Sequence, residues 1–272
     1  MTHLGIEEDQ VEVPEGRVFV RTWVPAAAPA GPPVVLLHDS LGCVDLWRGF
    51  PEALARRLGR CVVAYDRLGF GRSSAREELP SGDFIGEEAR IHLPAVRAAL
   101  GITRYSLFGH SVGGAMALMV AASREPGCER VVTESAQAFV EPRTLAGIRA
   151  AVEQFKDPES FAKLVRWHGD KAAWVLDAWA RVWLSPAYGS WSLDPYLGQV
   201  RCPVLAIHGD LDEYGSLAFP RRIAAGVLGP SRLAILEQCG HVPHREQPDR
   251  VLGLVAEFMD SPQPTRPLPG TS

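Results

Sequence analysis

The strongest constraint on the fold is the alternation of short apolar runs with helical patterns. Apolar runs occur in "PPVVLLHDS", "CVVAYD", "YSLFGHS", "RVVTES", "PVLAIHGD" and "RLAILEQ". Such runs suit strands that are buried on both faces of a parallel sheet. Helical patterns lie between or after them, at Phe50–Leu58, Phe84–Leu100, Ser111–Ala122, Phe219–Val227 and Val251–Met259. The alternation predicts an α/β fold with a largely parallel sheet flanked by helices.

The chain begins differently from this pattern. Val11–Val13 and Arg17–Val24 alternate apolar and polar residues on either side of Pro14-Glu15-Gly16, which predicts a β-hairpin. The hairpin and the six apolar runs together predict an eight-stranded, mostly parallel sheet that starts with antiparallel strands. A chain of 272 residues is long enough to enclose such a sheet in a sizeable core.

Residues 137–199 lack a buried strand pattern and contain five of the seven tryptophans. We expect a helical cap here, inserted into a core formed by residues 1–136 and 200–260. Trp167 and Trp174 are seven residues apart and Trp179 and Trp183 four apart, so each pair could share a helix face. These aromatic residues could form the core of the cap or line a pocket beneath it. The proline-rich tail, 261–272, is predicted to be disordered.

Composition narrows the functional classes. The chain has 28 basic and 32 acidic residues and no basic stripe, so a nucleic acid partner is not expected. It has no apolar run of membrane-spanning length and no signal-peptide pattern, so we expect a cytoplasmic protein without membrane contact. The odd number of cysteines and the lack of a C-x-x-C pair do not indicate a disulfide framework or a zinc site. A homodimer is compatible with the sequence.

The segment "YSLFGHSVGGAMALMV" places a G-x-S-x-G motif between an apolar strand and a helix. A serine at the apex of such a turn is exposed at the carboxyl edge of the sheet and at a helix N-terminus. Side chains two positions away would collide with the neighbouring strand and helix, so Gly109 and Gly113 are needed there. Gly114 allows closer helix packing. Ser111 is therefore a candidate nucleophile.

A serine hydroxyl needs a base to take its proton and an acid to orient that base. His241 follows the last predicted strand, in the glycine-containing loop "LEQCGHVPHREQP". The preceding strand leads into "HGDLDEYGS", which offers Asp210, Asp212 and Glu213 as carboxylates. Because the carboxyl ends of parallel strands meet at one edge of the sheet, these loops are expected near Ser111.

The order serine, acidic residue, histidine and the surrounding motifs resemble the α/β-hydrolase superfamily over roughly residues 17–260. The matching stretches are "VVLLHDSLG", "YDRLGFGRSS", "GHSVGG", "HGDLDEYGS" and "CGHVPHREQP". The resemblance implies a serine hydrolase with a helical cap. It selects Asp212, three residues after Gly209, as the acid, and His241 rather than His244 as the base. Glu134, where some lipase relatives carry their acid, and Asp210 remain alternatives.

The resemblance also implies an oxyanion hole made of two backbone N–H groups. One belongs to Val112, directly after the nucleophile, and the other to Ser40, in the loop after strand "VVLLH". Many relatives have His-Gly in this loop, whereas this chain has His38-Asp39. Asp39 could cap the following helix, bond within the loop or repel anionic substrates, and we favour a role in loop structure.

Other sites fit the sequence less well. "LGFGRSS" resembles a dinucleotide fingerprint, but it follows the fourth predicted strand and lacks the third glycine. His241 and His244 lack a third metal ligand at suitable spacing. We therefore expect no cofactor and no metal. The expected substrate is a small to medium carboxylic ester with an apolar part. The alternatives are a lactone, a C–C bond in a 1,3-diketone-like compound, or a non-catalytic ligand receptor.

Overall fold

The computed structural model describes residues 4–123 and 126–262. It contains one eight-stranded sheet in the order β1-β2-β4-β3-β5-β6-β7-β8. β1 and β2 are antiparallel, as are β2 and β4, and the remaining neighbours are parallel. The predicted fold class is confirmed. The strands are β1 Leu4–Val13, β2 Gly16–Pro25, β3 Val34–Leu37, β4 Val62–Tyr65, β5 Tyr105–His110, β6 Cys128–Glu134, β7 Val204–Gly209 and β8 Ser231–Leu236.

The helices lie between and after the strands. They are α1 Phe50–Leu58, α2 Phe84–Glu87, α3 Leu93–Ala99, α4 Val112–Ala122, α5 Pro142–Gln154, α6 Pro158–His168, α7 Ala172–Trp183, α8 Asp194–Leu197, α9 Ala218–Gly226, α10 Pro243–Glu246 and α11 Pro248–Asp260. A π-helical segment, Glu88–His92, joins α2 to α3. The predicted helix Phe84–Leu100 is therefore one helical stretch with a wide turn in its middle.

Two apolar clusters enclose the sheet, one on each face. Val34 and Leu36 of β3 pack with residues of α1 and α11. Their neighbours Val35 and Leu37 point to the other face and pack with residues of α3, α4 and α9. Burial on both faces explains why the central strands are apolar throughout their length.

The two edges of the sheet differ from the prediction. β1 extends back to Leu4 and pairs along its whole length with β2, although its first residues are largely exposed. β8 was expected to be buried on both faces, but it is the other edge strand and its first three residues, Ser231–Leu233, are exposed. Edge strands lose one neighbour, so their burial is incomplete even where the sequence is apolar.

Helices α5 to α8 occupy the chain between β6 and β7, where the cap was expected. The expectation for Trp167 and Trp174 was wrong, because Trp167 belongs to α6 and Trp174 to α7. Gly169, at φ 58°, interrupts the helical stretch between them. Trp179 and Trp183 do lie on α7, and both line a cavity beside Ser111.

Three sequence expectations concern targeting, cysteines and the tail. Among the described residues, no helix has both the length and the apolar character needed to cross a membrane. All five cysteines are free. The expectation of a disordered tail falls mainly on residues 263–272, which lie outside the described residues.

Candidate active site

Ser111 lies in a sharp turn between β5 and α4. Its backbone angles are φ 55° and ψ −124°, a conformation that residues other than glycine rarely adopt. A Cβ at Gly109 would overlap the main chain of Gly113, and a Cβ at Gly113 would overlap the carbonyl of Leu37 in β3. The two glycines therefore allow the strand, the turn and the helix to approach closely enough to form the bend.

The structure brings together the three side chains that were predicted as nucleophile, base and acid. Nε2 of His241 lies 3.0 Å from Oγ of Ser111. Nδ1 of His241 lies 2.9 Å from each carboxylate oxygen of Asp212. An Nδ1–H that donates to this carboxylate leaves Nε2 free to accept the serine proton. The arrangement can therefore activate the hydroxyl of Ser111 as a nucleophile.

Asp212 is buried, but several donors surround its carboxylate. Oδ1 accepts hydrogen bonds from the backbone N–H groups of Tyr214 at 2.8 Å and Gly215 at 3.1 Å. Nε2 of His208 lies 3.3 Å from Oδ2. Burial acts to raise the pKa of Asp212, but the charge and hydrogen bond of His241, the charge of His208 and the Tyr214 N–H lower it by more. Asp212 therefore stays ionised and orients His241.

The other candidate acids and the second histidine of the loop have different partners. Oε2 of Glu134 lies 2.6 Å from Nδ1 of His244. Oδ1 of Asp210 accepts from the backbone N–H of Cys239 at 3.3 Å. Asp212 is therefore the predicted acid that forms hydrogen bonds with His241.

Two further residues contact this group and were missed in the sequence. Nε2 of Gln137, just after β6, donates to Oγ of Ser111 at 3.0 Å. The ring of Tyr214 lies 4.8 Å from the ring of His241, measured between centroids. Gln137 is a polar residue at the carboxyl end of a buried strand, and that placement could have identified it. Tyr214 offered only its position near Asp212.

The first helix after β6 holds the acid loop in place. Nη1 of Arg143 donates to the carbonyl of Asp212 at 3.1 Å. Oγ1 of Thr144 donates to the carbonyl of Tyr214 at 2.6 Å. Both residues belong to α5, so this part of the predicted cap is bonded directly to the loop that carries Asp212.

The loop after β3 carries Ser40, the predicted second oxyanion donor. Ser40 and Ser111 line the same cavity, and Val112 is the first residue of α4. Three hydrogen bonds among His38, Asp39 and Arg67 fix the position of the loop. Nη2 of Arg67 donates to the carbonyl of Asp39 at 2.7 Å, and the backbone N–H of Arg67 donates to Nε2 of His38 at 3.1 Å. Nδ1 of His38 donates to the same Asp39 carbonyl at 2.8 Å.

Asp39 bonds within this loop, which is the role favoured in the sequence. Oδ1 of Asp39 accepts from the backbone N–H of Leu41 at 2.9 Å. Oδ2 lies 3.3 Å from Nδ1 of His110, the residue before the nucleophile. The carboxylate therefore connects the loop to the serine turn. Its partial burial acts to raise its pKa, but the hydrogen bond and charge of His110, with smaller contributions from His38 and His241, lower the pKa of Asp39 strongly.

A cavity of about 250 Å³ lies beside Ser111 and His241. Its apolar lining consists of Leu41, Ile148, Trp179, Trp183 and Val242. Its polar lining includes Gln137 and the carboxylates of Asp39 and Glu213, and no lysine or arginine is among its described lining residues. The space suits a compact molecule that is apolar over most of its surface.

One group of described residues has side chains close enough to bind a metal ion: His110, Glu134 and His244. Nδ1 of His244 is paired with Oε2 of Glu134, and both nitrogens of His110 contact other acceptors. Oε1 of Glu134 and Nε2 of His244 have no hydrogen-bond partner among the described atoms. The glycine-containing loop "LGFGRSS" has a structural role, because Asp66 accepts backbone N–H bonds from Val44 at 2.6 Å and Arg72 at 2.7 Å.

Known proteins resemble this chain over most of its length. A 2-hydroxy-6-oxo-2,4-heptadienoate hydrolase of Pseudomonas putida is 28% identical over 257 residues, covering 85% of this chain and 90% of the relative. A proline iminopeptidase of Lactobacillus helveticus is 23% identical over 271 residues, covering 84% and 90%.

A solved structure shows the same fold. The 2-hydroxy-6-oxo-6-phenylhexa-2,4-dienoate hydrolase of a Rhodococcus species superposes with a TM-score of 0.76 at 20% identity, covering 95% of this chain and all of that chain. The family model of the alpha/beta hydrolase fold matches residues 32–248. This chain therefore belongs to the α/β-hydrolase fold family.

Proposed function

We propose that this protein is a serine hydrolase that cleaves small to medium carboxylic esters with an apolar acyl or alcohol part. The observation that carries the proposal is the continuous contact from Ser111 through His241 to Asp212, with 3.0 Å between Oγ and Nε2 and 2.9 Å between Nδ1 and each carboxylate oxygen. Ligand binding alone does not require an imidazole within hydrogen-bond distance of a serine in a strained turn.

The reaction follows from the roles of these side chains. Oγ of Ser111 attacks the acyl carbon while Nε2 of His241 takes the serine proton. The tetrahedral intermediate collapses, the C–O bond to the alcohol breaks, and His241 gives its proton to the departing alkoxide. Water then attacks the acyl-enzyme with His241 as base, which releases the acid and restores Ser111. Asp212 stabilises the imidazolium that forms in both steps.

The negative oxygen of each intermediate needs donors that are already in place. The N–H groups of Val112 and Ser40 supply them in this proposal. Val112 begins α4, so the helix dipole adds to the favourable field at the same point. The contact between Gln137 and Oγ of Ser111 supports a further role, since an amide N–H that donates to Oγ fixes the rotamer from which Ser111 attacks.

The lining of the cavity supports a neutral substrate. Leu41, Ile148 and the two tryptophans offer an apolar surface, and the acidic groups in the lining are Glu213 and Asp39, which lies against His110. A substrate with its own carboxylate would enter a negative field without a lysine or arginine among the described lining residues to receive it. A compact apolar ester meets no such repulsion.

Hydrolysis of a C–C bond is the second candidate, because the 28% identical relative is named as a hydrolase of 2-hydroxy-6-oxo-2,4-heptadienoate. That compound carries a carboxylate, so it is the substrate that the charges of the cavity disfavour. Lactones would use the same side chains as esters, and the proposal treats them as cyclic members of the ester class.

The test compares hydrolysis of p-nitrophenyl butyrate, a neutral lactone and 2-hydroxy-6-oxo-2,4-heptadienoate by the wild type and by the Ser111→Ala variant. We expect the highest kcat/KM on the butyrate ester and at least a thousandfold loss in the variant. A higher kcat/KM on the dienoate would replace the ester proposal with C–C hydrolysis. Equal rates in wild type and variant on every substrate would end the enzyme proposal.

A further inference from the structure

We propose that His110 is a positioning residue: as an imidazolium it connects Asp39 of the oxyanion loop to the main chain of His241. By this connection it holds the oxyanion loop and the loop of the base at the spacing that hydrolysis needs. The proposal rests on the proposed serine hydrolase function. It concerns a residue of the G-x-S-x-G motif that the motif itself leaves unspecified.

The two nitrogens of His110 face two acceptors. Nε2 lies 2.8 Å from the carbonyl oxygen of His241, and a carbonyl can only accept. Nδ1 lies 3.3 Å from Oδ2 of Asp39, and an ionised carboxylate can also only accept. Both contacts are satisfied at once only when both nitrogens carry protons. The geometry therefore selects the imidazolium form of His110.

The two acceptors belong to the two loops that must cooperate in the reaction. Asp39 precedes Ser40, and its other oxygen holds the backbone N–H of Leu41, so Asp39 determines the backbone shape on both sides of the proposed oxyanion donor. The carbonyl of His241 belongs to the residue whose imidazole contacts Ser111. A single ring that is 2% exposed thus links the donor loop, the serine turn and the base loop.

The charges around His110 favour the same form. The titratable groups that face it most closely are Asp39 from the loop after β3, Glu134 from the end of β6, His241 from its loop and His244 from α10. His38, Cys43 and Arg245 line the same small cavity beside its ring. Burial acts to lower the pKa of His110, but the hydrogen bond and charge of Asp39, the charge of Glu134 and the carbonyl of His241 raise it overall. His244 adds no opposing charge at neutral pH, because burial lowers its own pKa.

The consequence for catalysis depends on pH. Below the ordinary histidine pKa of about 6.5 the bridge is complete, and it persists until the pH rises through the raised pKa of His110. Loss of one proton then leaves one of the two acceptors without a donor. The spacing between the oxyanion donor and the base relaxes, and because such displacements can cost about a hundredfold in rate, kcat should fall on the alkaline side.

The test uses the variants His110→Asn and Asp39→Asn and the double variant. Asparagine can donate to one acceptor but carries no charge. We expect each single variant to lower kcat on p-nitrophenyl butyrate about 10- to 100-fold with less than a threefold change in KM. The double variant should be little worse than either single one, because each change breaks the same bridge. The alkaline decline of kcat should disappear in His110→Asn.

The control for losing a buried histidine is His92→Asn in the π-helical segment. His92 lines a neighbouring cavity together with Ser40 but takes no part in the bridge, so this variant should keep the wild-type pH profile. A wild-type kcat and pH profile in His110→Asn, or additive losses in the double variant, would overturn the proposal. If His110→Asn fails to fold, Asp39→Asn alone decides, because the side chain of Asp39 is 27% exposed and its amide can still accept the Leu41 N–H.

A second measurement needs no substrate. In wild-type protein with nitrogen-15-labelled histidine, we expect the ring nitrogens of His110 to be mainly doubly protonated at pH 6.5, and to titrate at a higher pH than an ordinary histidine. A His110 ring that is mainly neutral at pH 6.5 would overturn the proposal even if ester hydrolysis is confirmed. Conversely, a protonated His110 in a protein without esterase activity would show that the proposed function, and not the bridge, has failed.

Discussion

The histidines of two histidine–carboxylate pairs lie three residues apart in the chain, His241 in the loop after β8 and His244 in α10, and only His241 contacts Ser111. His241 pairs with Asp212, and its Nε2 reaches Ser111 beside the cavity. His244 pairs with Glu134 at 2.6 Å, but it is 2% exposed on its side chain and its Nε2 has no hydrogen-bond partner among the described atoms. A buried His–carboxylate pair can therefore serve packing alone. It can act in catalysis only when a nucleophile and space for a substrate lie next to it.

The side chains around each histidine explain why His241 reaches Ser111 and His244 does not. The ring of His244 packs against Trp47 and Phe50, with centroid distances of 4.9 and 5.2 Å. The ring of His241 packs against Tyr214 and leaves one edge toward Ser111. His110 lies between the two pairs, 5.1 Å from the ring of His241 and 5.2 Å from that of His244.

The largest difference should appear when each histidine is replaced by glutamine. His241→Gln removes the base, and we expect kcat on p-nitrophenyl butyrate to fall about a millionfold. His244→Gln should keep kcat within about tenfold and reduce the free energy of unfolding by about 1–3 kcal/mol, because a buried partner of Glu134 is altered. Steady-state rates and urea unfolding measure the two quantities. Similar losses of kcat in both variants would contradict the assignment of His241 as the base and His244 as a structural residue.

The matched carboxylate changes, Asp212→Asn and Glu134→Gln, should give the next largest contrast. An asparagine at 212 offers an N–H where His241 needs an acceptor, so the imidazole takes the wrong tautomer and kcat falls about ten-thousandfold. The Glu134→Gln change keeps an acceptor for His244, and we expect kcat within about tenfold of wild type. Retention of full activity by Asp212→Asn would point to a different acid.

A smaller effect is expected at Gln137. Replacement by leucine keeps the approximate volume but removes the N–H that donates to Oγ of Ser111. One net hydrogen bond is worth about 1 kcal/mol, so kcat should fall about five- to tenfold. The KM should change little if this contact serves the serine rather than the substrate. A large rise in KM with constant kcat would instead make Gln137 a substrate contact.

The smallest effect concerns acid stability. The folded-state pKa of Asp212 is lowered, so its contribution to stability is present above the unfolded value of about 3.9 and is lost as the pH falls through the lower folded value. The difference in Tm between wild type and Asp212→Asn should therefore shrink between about pH 5 and pH 2. Thermal unfolding followed by circular dichroism measures this difference, and a constant gap over that range would contradict the assigned shift.

The sequence predicted best those elements whose residues are determined mainly by burial. The central strands are apolar because both faces are covered, and Val34–Leu37 and Phe50–Leu58 agree with the structure at both ends. The edges were less predictable, since β1 is held by pairing with β2 rather than by burial. The break between α6 and α7 depends on Gly169, which separated two tryptophans that spacing alone placed together.

In the site, too, some residues could be predicted from the sequence and others could not. Ser111, Asp212 and His241 follow three strands that end at one edge, so their meeting could be expected from the fold. The roles of His110 and Gln137 depend on acceptors and donors from distant parts of the chain, such as Asp39 and the carbonyl of His241. The end of a buried strand could have drawn attention to Gln137, but periodicity and motifs do not show which groups its side chain or that of His110 contacts.

The measurement that tests the central claim most directly is the rate at which a fluorophosphonate probe modifies the protein, with the modified residue identified by mass spectrometry. The claim is that His241, paired with Asp212, makes Ser111 reactive. We expect the wild type and His244→Gln to be labelled on Ser111 at similar rates, and His241→Gln to react at least a thousandfold more slowly. Labelling of His241→Gln at the wild-type rate, or of a residue other than Ser111, would contradict the claim.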